Sequence, residues 1–262
     1  QQEGSVLRKG ERTDMARMTV IGSGSNGNGY VLKAGGETLL LEAGLEQADV
    51  VRACGYDLSG VRGCLVSHEH ADHAKHAGDL TAHGIHVFGT EGVGKRKNIR
   101  HSWFHVCQSG RLLRLGGFTV MPMHTPHDVP CLAYVIRHAD MGTLLFATDT
   151  PYLEFSVNGV NHVMLEADYE PAVLKANLES GAIDRKRRDR VVLNHMSLPT
   201  ALETIAALDD GHLRSVTLVH LSAMNASPRA FELIAREETG LPVRCARKGL
   251  VVEMGNGTGA PF

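Results

Sequence analysis

The segment SHEHADHAKHAGDL, residues 67–80, places four histidines and two acidic side chains within the nine positions from 68 to 76. The short apolar run VRGCLVS (61–67) overlaps its first residue and predicts a buried strand. Residues 71–83 have the composition of a helix. The histidine cluster is therefore expected on a connection that leaves the end of a strand, which is where α/β folds bind their ligands.

Short apolar runs separated by turn residues continue along the chain. Predicted strands cover 18–21, 29–34, 37–42, 61–67, 118–122, 131–138, 143–148, 161–166, 190–194, 215–219 and 249–253. Predicted helices cover 171–179, 199–208 and 228–238. This alternation favours a layered α/β domain. We expect residues 15–262 to form a single domain, and the polar residues 1–14 to be a flexible leader or an expression remnant.

Net charge and cysteine content restrict the binding partners and the cellular compartment that can be expected for the chain. The formal net charge is −2 and the pI is about 6.8, so no global positive field attracts the chain to nucleic acid or to a membrane. Local basic runs stand at 95–97 and 185–188, where a solvated surface is the alternative interpretation. Five cysteines without a C-x-x-C pair favour reduced thiols, and no apolar run approaches the ~20 residues of a membrane span. We therefore expect the cytoplasm, or the host's cytoplasm if a phage encodes the chain.

The pattern H-x-H-x-D-H predicts a metal site. Residues two apart on a segment that leaves a strand can face the same way, and the next turn brings further side chains to a neighbouring point. Neutral imidazoles and carboxylates are the ligands that zinc and similar divalent ions accept. The pattern comprises His68, His70, Asp72 and His73, and later apolar runs end near His124, His127, Asp149 and His220. These residues suffice for one ion or for two adjacent ions.

These motifs resemble those of a known family. SHEHADH resembles the signature of the metallo-β-lactamase superfamily, and FATDTP and the late HLS resemble its later metal motifs. The opening GSGSNGNGYVL, the PHD and the HLSAMN together resemble the YycJ/WalJ-like branch of nuclease-type proteins, which is related to tRNase Z. The resemblance covers most of residues 18–253. It implies an αβ/βα four-layer sandwich of the α/β class, with a two-metal site at its rim.

The resemblance also implies which residues bind the metals. One ion would be held by His68, His70 and His127, and the second by Asp72, His73 and His220, with Asp149 bridging both. The ions are expected to be zinc, with manganese as the alternative. Two ions ~3.5–4 Å apart can clamp the oxygens of a phosphodiester that is attacked in line. Asp72 is predicted to be catalytic as well as a ligand.

Two acidic positions and one histidine are expected to support the metals. Glu42 stands where the family usually has aspartate, and it is expected to accept a hydrogen bond from a ligand histidine. Glu166 and His195 correspond to the pair that passes a proton to the leaving oxygen in tRNase Z-like relatives. Residues 194–197 read NHMS where the branch more often has GHLS, and His195 is retained. A carboxylate that orients an imidazole keeps it a competent acid near neutral pH.

Other candidates compete less well. His124 is the alternative to His127, which we favour because PHD is the branch's pattern and Asp128 can orient its ring. His76 has no family counterpart. The GSGSNGN segment lacks the order of a phosphate-binding loop and predicts a tight turn. Surface or packing roles are expected for His83, His86, His101, His105, His138, His162 and His212.

The predicted function is a two-metal hydrolase that cleaves phosphodiester bonds, of the YycJ/WalJ-like exonuclease type. The first alternative is a cyclic-nucleotide phosphodiesterase of the phage anti-Pycsar type, because a polymer-binding enzyme would normally carry a basic groove. The second is a hydrolase of lactones or thioesters. A zinc-stabilised binding module is disfavoured, because a structural site needs only four ligands. Expected partners are a nucleic-acid end or a cyclic nucleotide and no membrane, with a homodimer as one oligomeric arrangement.

Overall fold

The computed structural model describes residues 15–96, 99 and 102–255. The predicted leader, 1–14, and His101 lie outside the described residues. Within them the strands are β1 (Arg17–Gly22), β2 (Gly29–Ala34), β3 (Glu37–Leu41), β4 (Val61–Leu65), β5 (Val87–Gly89), β6 (Phe104–Val106), β7 (Leu113–Leu115), β8 (Phe118–Thr125), β9 (Cys131–His138), β10 (Gly142–Ala147), β11 (His162–Glu166), β12 (Ser215–Val219), β13 (Val243–Cys245) and β14 (Val251–Glu253). The helices are α1 (Gln47–Ala53), α2 (Ala71–Ala74), α3 (Ala77–Ala82), α4 (Glu91–Arg96), α5 (Pro171–Glu179), α6 (Arg185–Asn194), α7 (Leu198–Leu208) and α8 (Pro228–Thr239).

The described strands form two seven-stranded sheets, in the orders β14-β1-β2-β3-β4-β5-β6 and β13-β12-β11-β10-β9-β8-β7. Each sheet is antiparallel at one side and parallel at the other. In the first sheet the parallel pairs run from β3 to β6, and in the second from β10 to β13. Parallel strands need crossover connections, and all eight helices of the described residues lie in those connections.

The central core lies between the two sheets, and helices cover both outer faces. Successive side chains of β10 point to opposite faces of the sheet, so this one strand contributes to two layers of packing. Leu144 and Phe146 pack into the central core with residues of the first sheet, whereas Leu145 and Ala147 pack with α7 and α8. The opposite face of the first sheet packs against α1, α3 and α4. The predicted αβ/βα four-layer sandwich is therefore confirmed.

One predicted element is wrong. Residues 190–194 are the end of α6 and not a strand. The apolar run RVVLN has β-branched residues, but Val192 and Leu193 are exposed on the helix surface and enter no sheet. The helix begins where the Asp184 side chain accepts a hydrogen bond from the backbone N–H of Arg187 at 2.7 Å. His195 therefore follows a helix, although it still reaches the predicted edge of the sheets.

The pattern of apolar residues in the sequence also fails to predict several short helices and strands. Helices α1 and α4 and the three-residue strands β5, β6, β7 and β13 carry too little periodicity to be recognised. The predicted bounds of β2, β9, β12 and α5 agree with the observed ones. None of the helices in the described part of the chain is long and apolar enough to cross a membrane.

Candidate metal centre

The predicted site residues lie where the strands of both sheets end at one rim of the sandwich. Glu42 follows β3, His68 follows β4, Asp149 follows β10 and His220 follows β12, while Glu166 is the last residue of β11. Three of them, Glu42, Asp149 and His220, have positive φ angles of 64°, 53° and 53°. Non-glycine residues rarely adopt this backbone conformation, and such strain concentrates at functional sites. The backbone at this rim is shaped to aim side chains inward.

Three imidazoles form the first cluster of possible metal ligands, namely His68, His70 and His127. Their ligand atoms lie within 4.8 Å of one another. His127 Nε2 lies 3.3 Å from His70 Nδ1. His68 Nδ1 lies 2.9 Å from the Ser67 hydroxyl, but its Nε2 is buried and has no hydrogen-bond partner among the described residues. A buried polar atom without a partner is uncommon in proteins, and a metal ion at this nitrogen would satisfy it.

The second cluster consists of Asp72, His73 and His220. Asp72 Oδ2 lies 3.3 Å from the Nε2 atoms of both His73 and His220. Asp149 stands between the clusters, because its Oδ2 lies 3.0 Å from His73 Nε2 and its Oδ1 lies 3.8 Å from His220 Nε2, and it also groups with His68 and His73. All seven predicted ligands are thus brought together, and this set of nitrogen and oxygen donors fits divalent metal ions.

The charges of the site favour a cation. Burial lowers the pKa of His68 well below its usual value, so the imidazole is neutral and offers a lone pair. Burial opposes protonation of His73, but the carboxylates of Asp149 and Glu42 raise its pKa well above the usual value. The pKa of Asp149 is held low, against the effect of burial, by the charges of His220 and His73. A divalent ion can replace the protons that these histidines otherwise hold.

Glu42 lies behind the second cluster, but the expected hydrogen bond is not formed. Its Oε2 is 3.5 Å from His73 Nδ1, longer than a hydrogen bond, and His73 Nδ1 has no hydrogen-bond partner among the described residues. Both carboxylate oxygens are instead 3.3 Å from the backbone nitrogen of Ser67, which donates to them. The longer glutamate side chain is therefore held by the strand end, and its contact with His73 is electrostatic.

Glu166 and His195 are paired as predicted, and Glu166 has a second partner that the motifs do not reveal. One carboxylate oxygen, Glu166 Oε1, lies 2.8 Å from His195 Nδ1 and 3.0 Å from His220 Nδ1. The other, Oε2, accepts hydrogen bonds from the backbone N–H groups of Thr150 and Met196. The two imidazoles are stacked, with ring centroids 5.4 Å apart. A single buried carboxylate therefore joins a predicted metal ligand to the predicted proton donor.

The competing histidines are outside the site. The imidazole of His124 is mostly exposed and lies near Glu154, and His76 Nδ1 lies 2.7 Å from Asp79 Oδ2 at the surface. Asp128 contacts the His127 ring at Nε2, with an N···O distance of 3.1 Å, and not at Nδ1. The same carboxylate oxygen lies 3.3 Å from His70 Nε2, so Asp128 does not orient the His127 ring from behind.

Residues outside the predicted set complete the pocket. The GSGSNGN segment forms a turn in which Asn28 Oδ1 accepts from the Gly24 N–H at 2.8 Å, and the Asn28 amide lies 3.1 Å from His73 Nε2. Burial raises the pKa of Asp168, which lines the pocket, to about 7. The remaining lining residues, to which the sequence assigns no role in the site, are Ser25, Arg187, Arg190, Val191, Ser222 and Asn225. Only Arg187 belongs to the basic run noted in the sequence, and only an observed helix could place Arg190 beside it.

Comparisons with known proteins agree with this fold. No protein-family model matches the chain. Exodeoxyribonuclease WalJ of Streptococcus pneumoniae is 22% identical over 229 residues, which cover 80% of this chain and 82% of that protein. Exodeoxyribonuclease YycJ of Bacillus anthracis is 25% identical over 220 residues, with 79% and 83% covered. The crystal structure of the metallo-β-lactamase fold protein YhfI from Bacillus subtilis has a TM-score of 0.72 at 21% identity and covers 92% of this chain and 100% of that one.

These similarities confirm the metallo-β-lactamase fold and the resemblance to the YycJ/WalJ-like branch. Together with the clustered histidines and carboxylates, they also confirm the predicted enzyme class, a metal-dependent hydrolase.

Proposed function

We propose that this chain, which has the metallo-β-lactamase fold and resembles the WalJ and YycJ exonucleases, is a two-metal hydrolase that cleaves phosphodiester bonds at a nucleic-acid end. The observation that carries the proposal is the Glu166–His195 pair, since His195 Nδ1 lies 2.8 Å from Glu166 Oε1 and 3.6 Å from Asp149 Oδ1. A proton donor next to the metal ligands assists the departure of a poor leaving group, such as a sugar alkoxide.

The proposed ligands of the first ion are His68, His70 and His127, those of the second are Asp72, His73 and His220, and Asp149 bridges both. Two zinc ions are proposed, with manganese as the alternative. When bound, such ions supply positive charge to the phosphate oxygens and an activated water. Two separate groups of donors, connected by a third group that contains Asp149, support two ions, because seven side chains exceed the four ligands of one tetrahedral ion.

Three side chains of the protein have separate roles in the remaining steps of the reaction. With Nδ1 of His195 facing Glu166, its Nε2 is the nitrogen that can give a proton to the departing oxygen. Glu166 fixes the ring orientation and is itself fixed by two backbone N–H groups. Asp72 is proposed as a catalytic ligand, because Oδ2 faces two histidines while its other oxygen can orient the attacking water.

The wider setting supports the proposal. We propose residues 15–262 as one domain, since both sheets share the central core. The cytoplasm is proposed as the compartment, because all five cysteines are free and buried.

Hydrolysis by the metal-reconstituted protein tests the function. Linear single-stranded DNA labelled at either end should be shortened from an end, whereas a covalently closed circle of the same sequence should remain intact. Bis-p-nitrophenyl phosphate should be hydrolysed as well. Turnover of p-nitrophenyl acetate or a lactone without hydrolysis of any phosphodiester would contradict the proposal and favour the ester-hydrolase alternative. Hydrolysis of cyclic mononucleotides with DNA left intact would favour the cyclic-nucleotide alternative.

A further inference from the structure

Two arginines of α6 line the same pocket as the proposed metal ligands. Arg187 and Arg190 are three residues apart, so both lie on one face of the helix. Neither guanidinium forms an ion pair with any residue in 15–96, 99 or 102–255. Arg188, between them, pairs instead with Asp189 at 3.1 Å. The pocket therefore has two cationic side chains that the described protein does not neutralise.

The carboxylates of the pocket do not account for these arginines. Asp72, Asp149 and Asp168 lie 3.0–3.9 Å from histidine nitrogens, and none of the three is within ion-pair distance of an arginine among the described residues. The polar side chains of Ser25, Ser222 and Asn225 also line the pocket and add no charge. A negatively charged group that binds between α6 and the proposed metal ligands would therefore find two guanidinium groups that no carboxylate of the pocket occupies.

The chemistry of guanidinium indicates what this group is. The planar fork of an arginine forms paired hydrogen bonds with phosphate oxygens, and two such side chains on one helix face suit one phosphate group. In the proposed reaction the scissile phosphate would lie at the residues that hold the metal ions, where those ions would supply positive charge. The arginines are then available to a second phosphate of the same substrate, which a strand of nucleic acid has and a cyclic mononucleotide lacks.

We propose that Arg187 and Arg190 bind the phosphate next to the scissile one, so that the enzyme acts on a strand with at least two phosphodiesters. This inference rests on the proposed function and narrows its substrate class. The low net charge of the chain agrees with it, because a contact confined to one neighbouring phosphate needs no long basic groove.

Short oligonucleotides test the inference, because they differ by a single phosphate. A thymidine dinucleotide has one phosphodiester and the trinucleotide has two. The metal-reconstituted enzyme should have a kcat/KM about 10- to 100-fold higher on the trinucleotide, in line with the strength of charge-assisted hydrogen bonds. In R187Q/R190Q this preference should fall below about 3-fold, mainly through KM, and the salt dependence on the trinucleotide should become shallower.

A matched control comes from the same helix. R185Q/K186Q removes two exposed cations that do not line the pocket, and it should keep the preference for the trinucleotide. Circular dichroism and metal content should be unchanged in both double variants, since all four side chains are exposed. R187K/R190K retains the charge but not the fork, so it should recover only part of the preference.

Three results would overturn the inference. The first is an equal loss of R187Q/R190Q on the trinucleotide, the dinucleotide and bis-p-nitrophenyl phosphate, which would place the arginines at the scissile phosphate. The second is an equal effect of R185Q/K186Q, which would indicate a diffuse surface charge. The third is a wild-type enzyme that does not distinguish the two oligonucleotides. Failure of the proposed function is recognised separately, because the wild-type enzyme would then hydrolyse neither oligonucleotide.

Discussion

The two ends of strand β11 each bury a titratable side chain, and they satisfy it in different ways. At the first residue, His162 Nδ1 lies 2.8 Å from the Ser215 hydroxyl and Nε2 lies 3.2 Å from the Gly255 carbonyl oxygen. Both nitrogens are satisfied by neutral groups, and burial lowers the pKa of His162 to about 4. This end of the strand is complete within the protein and needs no ligand.

At the last residue of β11, the hydrogen-bond network includes a buried polar atom that has no partner within the described part of the chain. Glu166 contacts His195 and His220, and the network continues through Asp149 to the histidine rings. It ends at His68 Nε2, which is buried without a hydrogen-bond partner among the described residues. The difference teaches how to separate structural from functional histidines in this molecule. Burial is common to both, and an unsatisfied nitrogen that faces other ligand-type side chains marks the functional end.

The largest effect is expected from Asp149→Ala. The variant should lose detectable hydrolysis and at least one metal ion, because this carboxylate lies between the two clusters. Activity on bis-p-nitrophenyl phosphate and metal content by mass spectrometry measure it. Asp79→Ala is the matched control, since Asp79 pairs with His76 at the surface and should keep both properties. Full activity in Asp149→Ala would show that the two ends of β11 do not differ in the way described.

The second largest loss of activity is expected from His195→Ala. It should lose ~10²–10⁴-fold on a natural phosphodiester, because the alkoxide leaves without a proton. Most activity on bis-p-nitrophenyl phosphate should remain, since p-nitrophenolate leaves unaided, and both metals should stay bound. Equal losses on the two substrates at unchanged metal content would exclude the proton-donor role. Loss of metal would make His195 a ligand and would put the assignment of His220 in error.

Glu166→Gln should have a smaller and mixed effect. Glu166 Oε1 contacts both His195 and His220, so the change should disturb proton transfer and metal affinity together. A loss of about 10- to 100-fold in metal affinity is typical of carboxylates that orient ligand histidines. Titration with zinc against a competing chelator measures it. A variant that loses only activity on poor leaving groups would indicate that Glu166 serves His195 alone.

The smallest effect on hydrolysis is expected at the first residue of β11, where the titration of His162 changes the stability of the fold. The folded-state pKa of His162 is about 4, below the usual value of 6.5, so the unfolded chain binds more protons between these values. The stabilisation is therefore present above pH 6.5 and is lost as the pH falls towards 4, by up to about 3 kcal/mol.

Urea unfolding of the metal-free protein at pH 7 and pH 5 measures this loss. His162→Gln should unfold with a weaker dependence on pH than the wild-type protein. His212→Gln, which removes an exposed histidine paired with Asp210, should leave that dependence as it is. An unchanged dependence in His162→Gln would show that His162 is not the group responsible.

The histidine motif and the strand pattern predict the two clusters of metal ligands, because both are local features of the sequence. H-x-H-x-D-H lies on one connection, and His127, Asp149 and His220 each follow an apolar run whose end the sequence marks. Two features needed the structure. Whether residues 190–194 form a strand or a helix depends on the Asp184 cap and on which side chains the sheet admits, and this placement decides that Arg190 reaches the pocket. The double role of Glu166 depends on the ends of β11, β12 and α6 meeting, which no single segment encodes.

Metal stoichiometry tests the central claim most directly. The purified chain is stripped with a chelator, reconstituted with zinc or manganese, freed of unbound ions and analysed by mass spectrometry against protein concentration. The seven ligand-type side chains predict close to two ions per chain, falling to one or none in Asp149→Ala. A value of one after full reconstitution would contradict the two-metal centre.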